Sequence, residues 1–334
     1  MRLMEEPLIR RDEAGLYCPL GGFHIDPWRP VPLAVITHAH ADHARPGCGE
    51  YLAAREGEAL LRHRLGREAR IRSLEWGETV RLRGVRLSLH PAGHIRGSAQ
   101  VRIEGAREVW VVTGDFKRAS DPTCGAFEPL PCDTLVCEAT FALPLYRWPS
   151  AESVLAAIRI WVEDCARRGM AAVLYAYSLG KAQRLLAALG GSLDQPVLVH
   201  GAIAAINRLY EAEGVALGDW EPLPERRRRG ALAGRLILAP PSAAGAWLRA
   251  LGPAETACAS GWMSIRGQRR RRAYDRGFIL SDHADWPALL ATIAESGARR
   301  VLLTHGQGEA LARFLSERGL SAETWLTTYE GEGE

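Results

Sequence analysis

Residues 32–43 read Pro32-Leu33-Ala34-Val35-Ile36-Thr37-His38-Ala39-His40-Ala41-Asp42-His43. The apolar, partly β-branched run ending at Thr37 has the length and composition of a buried strand. Four potential metal ligands then leave its end together. At this chain's own His and Asp frequencies, the spacing H-x-H-x-D-H has a chance probability on the order of 10⁻⁴ to 10⁻³, so a coincidental cluster is the weaker reading. Imidazoles and a carboxylate are borderline-soft ligands that suit zinc. Alternate residues of an extended segment share a face, so His38 and His40 can grip one ion while Asp42 and His43, past the bend, reach a second.

Four later segments repeat the layout. Val85 to His90 leads to Gly93-His94, Val109 to Thr113 leads to Gly114-Asp115, Leu135 to Cys137 leads to Glu138, and Val301 to Thr304 leads to His305. One such residue after a strand is an ordinary turn former. Five in one chain are not, because strand ends are where α/β folds assemble their sites. The adjoining Gly93, Gly97, Gly114 and Gly306 permit the tight turns that convergence needs.

The 334 residues, 47% of them apolar, suffice for two domains or for one domain with an insertion. No apolar stretch approaches the roughly 20 residues of a membrane span, and the N-terminus lacks a signal peptide's apolar core, so a cytoplasmic location is expected. Seven irregularly spaced cysteines argue against a disulfide framework, and none is read as a ligand. The net charge of +3 is too small to imply a polyanionic partner by itself. Nearly all the basic residues are arginine, which fits phosphate contacts but follows more simply from a GC-rich genome. The runs Arg226 to Arg229 and Arg269 to Arg272 must be solvated or face an anion.

Short strand-like runs dominate the first 140 residues: Leu33 to Thr37, Val85 to His90, Gln100 to Ile103, Val109 to Thr113 and Thr134 to Cys137. From Ala151 the texture becomes helix and strand in alternation, with helices over Ser153 to Arg168, Lys181 to Leu189 and Ala202 to Glu211. That segment reads as an inserted α/β unit. Strand-then-helix pairs return at Gly277 to Leu280 with Trp286 to Glu295, and at Arg300 to Thr304 with Gly308 to Glu317.

The succession His38-x-His40-x-Asp42-His43, Gly93-His94-x-x-Gly97-Ser98-Ala99 and Thr113-Gly114-Asp115 resembles the ligand motifs of the metallo-β-lactamase fold. Glu138 in Cys137-Glu138-Ala139-Thr140, His283 in Ser281-Asp282-His283-Ala284-Asp285 and His305 in Thr304-His305-Gly306 resemble motifs A, B and C of the β-CASP nucleases. Tyr17-Cys18-Pro19, Ile25-Asp26-Pro27-Trp28 and Tyr177-Ser178-Leu179-Gly180-Lys181-Ala182-Gln183 look most like the bacterial DNA-ligase-associated exonuclease group. The resemblance implies an α/β fold, a metallo-β-lactamase αββα sandwich with an inserted β-CASP α/β domain. Its parts would be residues 1–147, the insertion 148–278, and 279–334.

Carried over by residue, the resemblance implies two zinc ions, with manganese as a substitute: one on His38, His40 and His94, the other on Asp42, His43 and His305, and Asp115 bridging. Two such metals neutralise a phosphodiester oxygen and supply a nucleophile at neutral pH. His283 would protonate the leaving oxygen, with Glu138 orienting its ring. The expected activity is hydrolysis of single-stranded DNA from its 5′ end, within a repair set that includes a DNA ligase or helicase. Glutamate at motif A and histidine at motif C also match the RNA-processing members, so RNA stands as the alternative. A small-molecule hydrolase would need neither Glu138, His283 nor the insertion.

Several positions carry two readings. Asp26 is either an acceptor fixing a ligand imidazole or a turn former before Pro27. Asp282 and Asp285 either tune His283 or cap the next helix. Ser178 and Lys181 either hold a substrate phosphate or open an ordinary helix. Trp262 and Arg269, Arg270, Arg271 and Arg272 either meet a nucleic-acid strand or are core and solvated loop. His24, His63, His90 and His200 are read as structural or surface residues.

Overall fold

The computed structural model of the chain describes residues 7–224, 232–243, 246–265, 267 and 273–325. It is an α/β protein whose contacts separate two compact units, with breaks after Leu145 and after Asp282. The arginine runs expected at 226–229 and 269–272 lie outside the described residues.

The first unit holds two sheets. One runs in chain order through β1 (Arg10–Asp12), β2 (Gly15–Cys18), β3 (Phe23–Ile25), β4 (Leu33–Val35), β5 (Glu50–Ala54) and β6 (Ile71–Leu74). The second is built from β7 (Thr79–Leu82), β8 (Val85–Pro91), β9 (Ala99–Glu104), β10 (Val109–Val112), β11 (Thr134–Glu138), β18 (Arg300–Thr304) and β19 (Ser321–Thr324). Its spatial order is β19, β18, β11, β10, β9, β8, β7.

The period-2 alternation of side chains decides the layers. Trp110 and Val112 of β10, Val136 of β11 and Leu302 of β18 enter a core shared with Phe23, Ile25, Val35 and Leu52 of the first sheet. Their neighbours Val111, Leu135, Cys137, Val301 and Leu303 point the other way, into a core with Trp286, Leu289 and Ile293 of one helix (Trp286–Ser296) and Leu311 and Leu315 of another (Glu309–Ser316). Strands buried on both faces read as continuous apolar runs, which is why they stand out in the sequence. Each fully buried large side chain here contributes about 1.5 to 3 kcal/mol.

The second unit is a parallel sheet of β12 (Ala171–Tyr175), β13 (Val197–Val199), β14 (Trp220–Pro222), β15 (Leu236–Ala239), β16 (Ala254–Ala259) and β17 (Arg276–Phe278), ordered β14, β13, β15, β12, β16, β17. Parallel pairing needs crossovers: the helix Lys181–Leu189 joins β12 to β13 and the helix Gly201–Ala212 joins β13 to β14, while the helix Ala151–Arg167 leads into β12. The Ala151–Arg167 helix starts where the Ser150 hydroxyl accepts the Ser153 N–H, and it buries Val154, Ile158, Trp161, Val162 and Cys165 at helical spacing.

Candidate metal centre

All the strand-end donors belong to the first unit, and topology explains their meeting. β8 and β10 are each antiparallel to β9, while β10, β11 and β18 are mutually parallel neighbours. The C-terminal ends of β8, β10, β11 and β18 therefore lie along one side of the sheet, where Glu138 closes β11 and the segments after the other three carry His94, Asp115 and His305. The His38 to His43 segment follows β4 of the sheet packed against it.

His38, His40, His94 and Asp115 each present a donor atom within 4.8 Å of the others. His40 Nδ1 lies 3.0 Å from His38 Nε2 and 3.2 Å from His94 Nε2. Asp115 Oδ2 stands 3.6 Å from His38 Nε2 and 3.9 Å from His94 Nε2. Four ligands bound tetrahedrally to one zinc stand roughly 3.3 Å apart, so the spacing fits an ion. A second group joins His43, Asp115 and His305, with Asp115 Oδ2 at 3.4 Å from His43 Nε2 and the two imidazoles stacked at 5.1 Å. A third joins Asp115, Glu138 and His283. Asp115 is common to all three, and its Oδ1 is buried with no hydrogen-bond partner among the described residues. A buried carboxylate oxygen left so is costly without a cation. The donor set thus fits divalent metal.

Asp42 stands apart from these groups. Its Oδ2 lies 3.6 Å from His43 Nε2, and about a third of its side chain is exposed.

The imidazoles are aimed by their outer neighbours. Thr37 Oγ1 donates to Asp26 Oδ2 at 2.5 Å and lies 3.0 Å from His38 Nδ1, whose N–H it can accept. His43 Nδ1 donates to Asp26 Oδ2 at 2.8 Å. Thr304 repeats the device, donating to the Cys137 carbonyl at 3.4 Å with its oxygen 3.0 Å from His305 Nδ1. In all three rings Nδ1 is engaged outward, which leaves Nε2 to face the centre. Asp26 thus takes the role of acceptor for a ring at the centre, and it does so from a left-handed backbone with φ 42°. Sequence reading did not assign Thr37 or Thr304, although a threonine directly before the histidine recurs in both motifs.

Close approach fixes two glycines. A Cβ on Gly93 would sit 2.2 Å from the Lys117 carbonyl oxygen, and one on Gly114 would sit 2.7 Å from Thr37 Cβ; both residues have positive φ. The Ser98 hydroxyl accepts the His94 and Ile95 N–H groups and closes the turn around His94.

Burial and the neighbouring His43 and His40 rings hold His38 well below the usual histidine range, so it is neutral at pH 7, as a ligand must be. Burial would lower His43 too, but the Asp115 and Asp26 carboxylates outweigh it and raise that ring well above its ordinary value. Burial brings His305 down to about 4. For Asp115, burial raises the pKa, and the surrounding His43, His283 and His305 more than reverse this, holding it well below the carboxylate range.

His283 Nδ1 donates to Glu138 Oε2 at 2.8 Å, and Glu138 Oε1 accepts the Phe116 N–H at 2.7 Å. The carboxylate is thereby fixed at both oxygens. Burial raises Glu138 above its ordinary pKa, and the His283 ring opposes that rise. The His283 and His94 ring centroids are 4.7 Å apart.

Elsewhere the structure separates the paired readings. Asp285 caps the Trp286–Ser296 helix by accepting the Ala288 N–H at 3.0 Å. Asp282 accepts from Arg184 at 2.8 Å and lies 3.6 Å from Lys181. Lys181 has no exposed surface and lies over the Tyr177 ring, with the carboxylate of Asp282 beside it. Ser178 is half-buried, its carbonyl accepting from Gln183. Trp262 is half-buried in a 3-10 turn, edge-to-face with Tyr146 at 6.1 Å. His24 pairs with Asp12, His90 lies between Ser88 and Glu128, and His200 caps its helix by accepting the Ala202 N–H. No cysteine enters the metal groups found among the described residues, and no helix among those residues is long and apolar enough to cross a membrane.

No family model matches the chain. It is 34% identical over 315 residues, 92% of its length and 30% of the relative's, to a protein named "Probable DNA ligase" from Opitutus terrae. It is 29% identical to the "Transcription termination factor FttA" of Thermococcus kodakarensis, over 42% of this chain and 23% of that one. It is 28% identical to the "Endoribonuclease YSH1" of Eremothecium gossypii, over 35% of this chain and 15% of that one. The chain spans less than a third of the length of these relatives. A crystal structure of a protein of unknown function from Enterococcus faecalis shares the fold, with a TM-score of 0.58 over 90% of this chain and 80% of that one at 13% identity. Motifs and relatives together support the β-CASP metallo-β-lactamase family for this chain.

Asp26→Ala is expected to weaken metal affinity about 10 to 100-fold by releasing the His43 ring and the Thr37 hydroxyl. Competition against a chromophoric chelator measures this. Unchanged affinity would reduce Asp26 to a turn former.

Proposed function

We propose that the chain is a two-metal phosphodiesterase that cleaves single-stranded nucleic acid, built as a metallo-β-lactamase-type sandwich (residues 1–147 and 279–334) interrupted by a β-CASP domain (148–278). The observation that carries this reading is the one carboxylate, Asp115, shared by two histidine groups, beside a third group that contains a carboxylate-held histidine. His38, His40 and His94 would hold one ion and His43 and His305 the other, with Asp115 common to both and Asp42 at the exposed side. Zinc suits this nitrogen-rich set, and manganese is its alternative. When bound, the metals supply charge neutralisation at the phosphodiester and a nucleophile at neutral pH.

The chain's own groups do the rest. Glu138, anchored by the Phe116 amide, accepts the Nδ1 proton of His283 and so presents Nε2, which delivers a proton to the leaving oxygen. Thr37, Asp26 and Thr304 hold the ligand imidazoles in the tautomer that faces the metals.

DNA is the favoured polymer, because the likeness that spans 92% of the chain is to a protein named as a ligase of DNA. The proposed setting is end-directed trimming from the 5′ end in repair, alongside a ligase or helicase. RNA is the second reading, favoured by Glu138 and His305 at the motif positions and by the likeness to an endoribonuclease. End-labelled single-stranded DNA and RNA of one sequence, each free or blocked at the 5′ end, decide between them. The expected result is stepwise loss of nucleotides from unblocked DNA and none from the 5′-blocked strand. RNA cleaved far faster than DNA would install the second reading, and no cleavage of either with metal present would remove both.

A further inference from the structure

The exposed side of the metal centre is formed by His40, Ala41 and Asp42, none of them buried. Beside it lies a helix that sequence reading did not anticipate, Glu58–Leu65, whose last turn carries Arg62, His63 and Arg64. Arg62 spends its guanidinium on Glu58, with Nε–Oε1 at 3.0 Å. Arg64 does not follow it. Its Nε donates to the carbonyl of Ala39, the residue between His38 and His40, at 3.2 Å, and among the described residues this guanidinium forms no ion pair. Many other arginines of this unit are neutralised by a carboxylate, including Arg55, Arg86, Arg96, Arg102, Arg118 and Arg300.

Protein packed around the guanidinium lowers its pKa from the usual arginine range and the nearby Asp42 carboxylate raises it in part, so Arg64 stays charged at neutral pH and close to Asp42. Of the five N–H donors in a guanidinium, the Ala39 contact uses one. The other four form a planar fork matched to two phosphate oxygens. A cation in the last turn of a helix also complements the helix dipole, but that effect asks only for charge at the C-terminus. It does not ask for a contact with the metal-ligand loop 25 residues earlier.

We infer that Arg64 is a substrate-binding residue: pinned through Nε to the His38–His40 segment, its guanidinium takes a phosphate of the single strand next to the linkage being cleaved. This rests on the nuclease reading above. A short strand would be held at the centre by one fixed fork, and the fork would set register without touching a base.

The test compares wild type, Arg64→Ala, Arg64→Lys and, as a control, Arg67→Ala, an exposed arginine of the following loop with no role assigned to it. Binding of fluorescein-labelled oligothymidylate and oligouridylate is followed by anisotropy in chelator, across a salt series, and metal content and steady-state rates are measured on the reconstituted proteins. For Arg64→Ala the expected outcome is about tenfold weaker binding at low salt, a log–log salt slope smaller by about 0.7, a raised KM and full metal content. Arg64→Lys should recover the slope and only part of the affinity, because an ammonium keeps the charge and loses the fork. Affinity and slope in Arg64→Ala equal to those of Arg67→Ala would overturn the inference. Loss of metal in Arg64→Ala with unaltered oligonucleotide binding would also overturn it, making Arg64 a fastener of the ligand loop. Failure of wild type to bind either probe is a different result, which removes the nuclease reading itself.

Discussion

Asp115→Ala is expected to empty both metal positions and to lower cleavage by about 10³-fold or more, since the metals supply several kcal/mol of transition-state stabilisation. Asp115 Oδ2 stands 3.4 Å from His43, 3.6 Å from His38 and 3.9 Å from His94, and Asp115 is the one residue common to the three donor groups found among the described residues. Removal of its carboxylate leaves the six imidazoles of these groups with one anion fewer among them. Asp115→Asn keeps the shape and guards against misfolding: with unchanged circular dichroism it should still lose metal by elemental analysis. Retention of full metal by both variants would assign Asp115 to a structural role.

His283→Ala is expected to do the opposite with metal. Content should be unchanged while the rate falls about 10² to 10⁴-fold, the usual contribution of a positioned general acid. The reason lies in the pairing: His283 Nδ1 is committed to Glu138, whose other oxygen is committed to the Phe116 amide. Glu138→Gln should give a smaller loss in rate, because the ring keeps a neighbour and loses only a charged acceptor. A substrate with a better leaving group should rescue His283→Ala, as it relieves the need for a proton. Metal loss in His283→Ala comparable to that in Asp115→Ala would make His283 a ligand through the third group, and the acid would have to be sought elsewhere.

Much of the candidate donor set is legible in the sequence, because Asp115, Glu138 and His305 stand at the ends of strands buried on nearly every position, whose Val, Ile and Leu content marks them plainly. The boundaries moved little. The strand expected at Arg300 to Thr304 and the helix at Lys181 to Leu189 have those limits in the structure, while the strand expected at Gly277 to Leu280 is Arg276–Phe278. Edge strands resisted, since β6 and β7 alternate exposed and buried residues over only four positions each. The Glu58–Leu65 helix was missed for a related reason: it buries only Leu60 and Leu61, so it shows no apolar stripe. The contact of Arg64 with Ala39 was lost with it.

What sequence could not supply is the pairing of partners far apart in the chain. Lys181 at a glycine-preceded helix start looks like a phosphate site, and only the fold brings Asp282 to it. The two readings of Asp26 were likewise even until the His43 ring was placed 2.8 Å from its carboxylate. Thr37 and Thr304 were in view as strand ends, but their service to the histidines depends on Asp26 and Cys137 being where the sheets put them.

The central claim, a two-metal centre that cleaves nucleic acid, is tested most directly by titrating metal-free protein with zinc, and separately with manganese, while following the initial rate of cleavage of a labelled single strand. The rate is expected to stay near zero through the first equivalent, climb through the second and break sharply at two per chain. A break at one equivalent, or no cleavage at any metal content, would contradict it.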